Sequence, residues 1–522
     1  MRKRKQSDSN EKTYTKKVST SEHLLEEWIS HGSSSQLWSS TLKYLSDLLS
    51  EHNRTNDAID AVQPLATPRT QVKLRTPVRR ILTSTLPYGS GEMYYCQEPD
   101  QEGVNIVTFT HHNKSMIKAA SLIKLIDKVM SADVTGSDGR DFATSFFLTY
   151  RNFTNPEMLL SMFVQRYELY KDDKKQVELM QNVLMLWWKV GYKVDWSSNS
   201  RMMNTLGRIL NQIRSNGGLE YVKSFLVLIQ KEVERSSKEC EIDVDSILFN
   251  NSSVRLCESV LERESMLFNI NPEHLARQIT LVDSKLLQDI RHIELFNNQK
   301  AFNNLLDGLP CQGLNLKSTH ILQILSRSIV LADWMASVII APLKVEVRSK
   351  RIKFFVQLIL TLIEMKNIQS AFTLGQVLLR SSIMNLKVTY RTLSHQEYKL
   401  IEDVKRFCRS IEQEERASVI IPLLDHDHKA NNVVGPCIPH IQPLIKRISL
   451  IDEAFLSRVK VDQELLIHWD KYVKISQIIN SIILYQENCD YPFEWNESIQ
   501  SKLLKSFSYR QPETVLIKWS MN

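Results

Sequence analysis

Hydrophobic positions recur with a helical period over about 115–215 and again from about 270 to the end of the chain. Leu122, Leu125, Ile126 and Val129 fall on one helix face, and Val183, Leu184, Leu186, Trp187 and Trp188 form a dense apolar helix. Farther on, Ile352, Phe355, Val356, Ile359, Leu360 and Ile363 share a face, as do Tyr472, Ile475, Ile479 and Ile482. Polar or proline-containing breaks stand at 133–140, Leu309-Pro310, Ala341-Pro342, Asp425 to Gly435 and Asp490-Tyr491-Pro492. Around 216–265 the pattern changes, with the double glycine Gly217-Gly218 and a heavily charged stretch at 231–244. Residues 1–92 lack sustained periodicity, apart from an amphipathic patch at Leu37–Leu49 that predicts a short helix, and read as a disordered tail. No fixed-period repeat is present.

Composition strengthens the helical reading. Only 14 of 522 residues are glycine, against a usual share of about 7%, and a chain so poor in turn residues is unsuited to a sandwich, barrel or doubly wound sheet. The predicted class is all-α, with two helical domains behind the tail. The formal charge of +7 sits in that tail. Residues 1–20 hold seven Lys/Arg and two acids, and 63–91 hold Arg69, Lys73, Arg75, Arg79 and Arg80 with no acid, so the body is slightly acidic. A nucleic-acid-binding body is therefore disfavoured. Thr67-Pro68 and Thr76-Pro77 are candidate sites for proline-directed phosphorylation. The seven cysteines are scattered without a CxxC pair, which predicts reduced thiols inside the cell and no zinc site. No signal-peptide pattern opens the sequence, and the apolar run Ile329 to Leu343 is interrupted by Asp333 and too short to span a bilayer.

Catalytic constellations are missing. No phosphate-cradling glycine motif, HExxH, GxSxG or kinase set occurs, so no cofactor or nucleotide site is expected. Asp425-His426-Asp427-His428 has metal-ligand chemistry, but its Lys- and Asn-rich surroundings favour a solvated loop, and no metal is predicted. On residue chemistry alone this is a helical interaction protein.

Two strings give that protein a family. Asp141-Phe142-Ala143-Thr144-Ser145-Phe146-Phe147-Leu148-Thr149-Tyr150-Arg151-Asn152-Phe153-Thr154 closely resembles the N-terminal Ras exchanger motif, whose hallmark is "DF…FLLTYRSFT". Leu275-Ala276-Arg277-Gln278-Ile279-Thr280-Leu281-Val282-Asp283 resembles the "LARQLTLL(D/E)" opening of the catalytic domain of Ras-family guanine nucleotide exchange factors. Later landmarks follow in the family's order: Asp333-Trp334-Met335, Glu364 to Ser370, Asn385 to Tyr390, Pro436-Cys437-Ile438-Pro439 and Ile467 to Lys471. The resemblance covers about 115–510. It implies an exchanger-motif domain at 115–240, a linker at 241–268 and an exchange domain at 269–512. On size and Asn/Lys/Ser-rich style, the chain is similar to the fungal bud-site-selection branch.

The resemblance also implies a mechanism. An exchange factor makes no covalent bond and is not an enzyme in that sense. A protruding helical hairpin opens the first switch of a Ras/Rap-like GTPase, while the main body holds the second. The hairpin's first arm is placed at about 394–409 and the return arm at about 410–421. On the first arm, Leu400 and Ile401 match apolar positions aimed at the magnesium site, and Glu402 and Asp403 match neighbouring acids. Thr389 and Tyr390 lie at the hairpin base. Arg277 and Asn367 border the second-switch region, where they serve either as contacts or as an internal arginine and a helix cap. Phe142 is expected in the core. The basic tail suits an anionic membrane surface, placing the protein at the cytoplasmic face of the plasma membrane.

Several residues depart from the family pattern. Ser328 and Ile329 replace Phe-Asn, Gln369 replaces an Asn, His440 stands where an aromatic is usual, and Arg447 where an acid or Asn is usual. Two readings remain open: an active factor with divergent contacts, or a scaffold of the same fold that binds a GTPase without accelerating exchange.

Overall fold

The computed structural model describes residues 100–111, 114–197, 199–237, 267–297, 320–424, 435–461, 464–508 and 510–521. The predicted tail at 1–92, most of the predicted linker at 241–268, the Leu309-Pro310 break and the Asp425–His428 cluster lie outside the described residues. In order, the elements are β1 (Ile106–His111), β2 (Lys114–Ala120), α1 (Leu122–Met130), α2 (Ser137–Thr149), α3 (Pro156–Tyr170), α4 (Lys174–Gly191), α5 (Ser200–Ser215) and α6 (Leu219–Ser237). There follow α7 (Pro272–Asp289), α8 (His320–Ile340), α9 (Val345–Glu364), α10 (Ile368–Val377), α11 (Ser381–Met384), α12 (Lys387–Arg391), α13 (His395–Leu424) and α14 (Ile441–Ala454). The chain closes with β3 (Arg458–Val461), β4 (Glu464–Ile467), α15 (Trp469–Glu487), α16 (Glu497–Phe507) and α17 (Glu513–Met521). The fold is helical as composition predicts, with one small sheet ordered β1-β2-β4-β3 that the periodicity does not announce.

Packing divides the chain into two compact units. The described part of the smaller comprises Pro156–Val177 and Asp195–Lys231. Here α3 packs on α5, and Leu159, Leu160 and Phe163 of the one and Leu206, Leu210 and Ile213 of the other are buried. Asn199 caps α5 by accepting the Met202 N–H at 3.1 Å, and donates to Glu157 at 2.6 Å. The double glycine ends α5. Gly217 turns left-handed at φ 89°, and the N–H groups of Gly218 and Gly217 return to the carbonyls of Ile213 and Arg214 at 2.9 and 3.0 Å.

The larger unit comprises Pro99–Asn155, Glu178–Val194 and Glu232–Asn522. Its core gathers α7 to α10, α14 and α15. The most apolar helix, α8, runs 21 residues and is long and apolar enough to cross a membrane, so the run that looks too short in sequence belongs to a longer helix. It is mostly buried inside the protein, with Trp334 edge-on to Phe355 and Phe507 at 5.2 and 5.4 Å.

The exchanger-like string is part of this same unit. Phe142 and Phe146 of α2 lie 5.0 and 6.2 Å from the Trp469 ring, Phe153 lies 5.3 Å from Tyr472, and the hydroxyls of Ser145 and Ser476 meet at 2.8 Å. On the other side Phe147 stacks on Trp187 at 5.6 Å, and Arg151 donates to the Val194 carbonyl at 3.1 Å. Ala120 of β2 pairs with Ile467 of β4 immediately before Trp469. Phe146 is fully buried, whereas Phe142, expected in the core, is only half-buried. Phe146→Ala should therefore cost about 3–5 kcal/mol in urea unfolding, and Phe142→Ala clearly less; equal losses would contradict this packing.

Candidate functional site

One buried carboxylate organises the exchange-factor-like segment. Asp283, the last residue of the "LARQ" string, accepts from Arg327 Nε of α8 at 2.8 Å and from Asn367 Nδ2 at 2.9 Å, and also bonds the Ser370 hydroxyl. Asn367 Nδ2 also reaches Thr280 Oγ1 at 3.1 Å, while its Oδ1 caps α10 by accepting the Ser370 N–H at 3.1 Å. All five side chains are buried. Thus Asn367 offers no atom to a partner; it caps a helix, and its role at the site is to order the turn.

That turn is shaped by the end of α9. Lys366 adopts φ 57°, the N–H groups of Asn367 and Lys366 return to the carbonyls of Leu362 and Ile363 at 2.9 Å, and the chain reverses. Ile438 then pairs with it, its N–H donating to Lys366 at 3.0 Å and its carbonyl accepting from Ile368 at 2.9 Å. The Cys437-Ile438-Pro439 landmark is therefore fixed to the Lys366–Gln369 landmark just before α14 begins.

The predicted first arm, about 394–409, falls on α13, but α13 continues unbroken for 30 residues to Leu424, so 410–421 is not a return arm; the next described helix is α14. A stripe of Ile401, Val404 and Cys408 buries α13 against the body. It can sit close because α10 presents Gly375, where an added Cβ would lie 2.5 Å from Cys408 Sγ. Burial pushes the Cys408 thiol up to about 12, so it stays protonated. Gln376 Nε2 to Glu412 at 2.7 Å, and Lys353 Nζ to Glu397 at 2.5 Å, hold the same seat.

This seating separates residues that are neighbours in sequence. Ile401 is 1% exposed and belongs to the core; Leu400 is 36% exposed and faces outward. Glu402 pairs with Lys405 at 2.9 Å and Asp403 with Arg406 at 3.2 Å, each carboxylate being about one third exposed. Thr389 is buried on α12, beside the Ser349–Thr392 contact. Tyr390 packs on the core; burial, with Tyr398 and Glu402 nearby, pushes its phenol up to about 12. Arg277 is half-exposed on α7, paired with Glu273 and 5.4 Å over the Phe493 ring.

Three outward apolar residues escape the sequence reading: Met384, Val388 (61% exposed) and Tyr398. With Leu400 they stand on α11, α12 and the first turns of α13. Their signal was weak, because nothing in the sequence separates them from buried neighbours such as Ile383, Leu386 and Ile401. The base is braced by Arg380, whose Nη1 lies 2.7 Å from Asp333 and 3.5 Å from Glu513 of α17, while Glu513 also accepts the Ser382 N–H at 3.3 Å.

The departures from the family pattern are mostly interior. Gln369 donates to Ser328 Oγ at 2.7 Å and accepts the Ile441 N–H at 2.9 Å, so two departures bond each other and hold the first residue of α14. The His440 ring lies 4.4 Å from Phe372, filling the aromatic's place. Ile329 is exposed, and Arg447 is half-buried on α14 with its pKa lowered by burial. Asp283→Ala would strand the buried Arg327 guanidinium and should cost about 3–5 kcal/mol. Thermal or urea unfolding measures this, and a loss below about 1 kcal/mol would show that the network is not the anchor.

Comparison with known proteins agrees with this geometry. Residues 116–216 match the RasGEF N-terminal motif and residues 274–473 the RasGEF domain. The chain is 22% identical over 467 residues to the protein son of sevenless of Drosophila melanogaster, covering 81% of this chain and 27% of that protein. It is 22% identical over 354 residues to Ras guanine nucleotide exchange factor J of Dictyostelium discoideum, covering 65% and 41%. Ras guanine nucleotide exchange factor K of the same organism is 27% identical over 220 residues, covering 42% and 13%. The chain thus spans well under half the length of these relatives. With both segments matched in order, over more than half of its 522 residues, the protein belongs to the RasGEF family.

Proposed function

We propose that the chain is a guanine nucleotide exchange factor for a Ras-family small GTPase. It binds the nucleotide-free GTPase more tightly than the loaded form, and by reciprocity it weakens nucleotide binding. No covalent step is needed, only a shape favouring one conformation of the partner. The observation that carries this reading is the firm seating of α13 on Gly375 of α10, which leaves Tyr398 and Leu400 exposed on its first turns, with Met384 and Val388 exposed on the short helices just before it. Exposed apolar side chains on a rigid helix are what a partner surface can cover. Its relatives' names describe Ras exchange factors, which supports the same partner class.

In this reading α13 is the outgoing arm and α14 the return. Leu400 faces the first switch, and Glu402 and Asp403 follow it within the next turn outward along the arm. Ile401 acts from within by fixing the arm. Asn367, Thr389 and Tyr390 act through the scaffold, and Arg277 stands half-exposed at the body's surface.

The full chain, mixed with a panel of Ras-family GTPases loaded with fluorescent GDP, should accelerate release from at least one. Leu400→Ala should lower that rate about tenfold, as expected for an interface hot spot, while leaving unfolding almost unchanged. Ile401→Ala should instead destabilise by about 2–5 kcal/mol. Binding without acceleration across the panel would point to the scaffold alternative.

A further inference from the structure

Resting on that reading, we propose that the base of the hairpin selects its GTPase by charge, with Lys387, Arg391 and Lys399 forming a cationic rim beside the exposed Val388, Tyr398 and Leu400. The partner surface that fits is an apolar spot bordered by carboxylates.

The argument lies in how charges are sorted along 387–406. The acids of this stretch are already engaged: Glu397 with Lys353, Glu402 with Lys405 and Asp403 with Arg406. The cations at the base are not. Lys387, Arg391 and Lys399 are exposed, and none forms an ion pair with another described residue. Lys387 and Arg391 stand one helical turn apart on α12, so they project from the same side. Val388 lies beside the first, and Lys399 sits between Tyr398 and Leu400 at the start of α13. The unpaired charge therefore falls in the same stretch of chain as the exposed Val388, Tyr398 and Leu400, whereas Lys405 and Arg406, farther along α13, are paired with carboxylates of their own helix.

An exposed lysine needs no partner in water, so the fold gains nothing from this sorting. A partner does. Rim charges steer encounter and reject like-charged surfaces, raising the association rate at low salt, while the apolar centre sets how long the complex lasts. A GTPase whose matching face is neutral or basic would then be a poor substrate even if the apolar residues fit it.

The test follows exchange by the full chain, on whichever panel GTPase it accelerates, across sodium chloride from low to high ionic strength. The wild type should lose kcat/KM steeply as salt rises. The triple variant Lys387→Glu, Arg391→Glu, Lys399→Glu should fall about tenfold or more in kcat/KM at low salt, with its salt dependence flattened or reversed. Lys502→Glu, an exposed cation on α16, should do neither. A unfolding curve on the triple variant keeps a folding defect from being read as a docking defect. A triple variant within twofold of wild type, or a wild type indifferent to salt, overturns the proposal while leaving exchange activity standing. If the wild type accelerates no GTPase yet binds a nucleotide-free one, the same salt series read on binding decides the charge proposal. Failure to bind any GTPase ends both readings.

Discussion

The packing of α7, α8 and α10 hangs from the carboxylate of Asp283. Burying an ion pair costs several kcal/mol per ion in lost hydration, repaid only when geometry is good and every lone pair is used. Arg327, Asn367 and Ser370 supply that geometry from two other helices. The result is less a source of stability than a constraint. Each donor has one place it can stand, so α7, α8 and α10 have one arrangement. Asn367 passes the constraint on, because the residue that binds Asp283 also caps α10 and borders the bridge to Ile438. α10 carries Gly375, against which α13 seats; Ile438 leads into α14. α13 and α14 are thus both seated on elements that this one buried charge ties together.

The departures become intelligible against this constraint. Where the family has a large aromatic and a short amide, this chain has Ser328 and Gln369. The smaller residue leaves room, the longer amide fills it, and a hydrogen bond joins them. A buried amide satisfied at both ends is far cheaper than one left unpaired. Gln369 also holds the first residue of α14, so the exchange of two side chains preserves the footing of that helix. Divergence here has been absorbed inside the body.

Much of the fold was legible because long helices write their faces in sequence. Ile352, Phe355, Val356 and Ile359 are buried on α9, and Tyr472, Ile475, Ile479 and Ile482 on α15, as the periodicity indicates. Strands of four residues, such as β3 and β4, are too short for alternation to stand out. The hairpin's length was misjudged although a signal existed: no glycine or proline stands between His395 and Ile421 to end the helix. The site was harder still. Leu400 and Ile401 are equally apolar, and only the seat against Gly375 decides which one faces out. Asn367 was nominated as contact or cap on residue type; choosing between them required knowing that Asp283, 84 positions away, would be its partner.

The docking of α2 on Trp469 means that the pieces by which this family is recognised are not the pieces in which the protein folds. A fragment starting at residue 269 would keep the whole RasGEF segment, yet it would bare the Trp469 and Tyr472 rings and remove the β2 partner of Ile467. Such a fragment would carry a raw sheet edge beside an aromatic face, the kind of surface that recruits other chains. Conversely, a break in the backbone between the two segments need not part them. The aromatic seam is assembled from distant stretches of chain, so a nicked molecule could stay whole, held by rings rather than by peptide bonds.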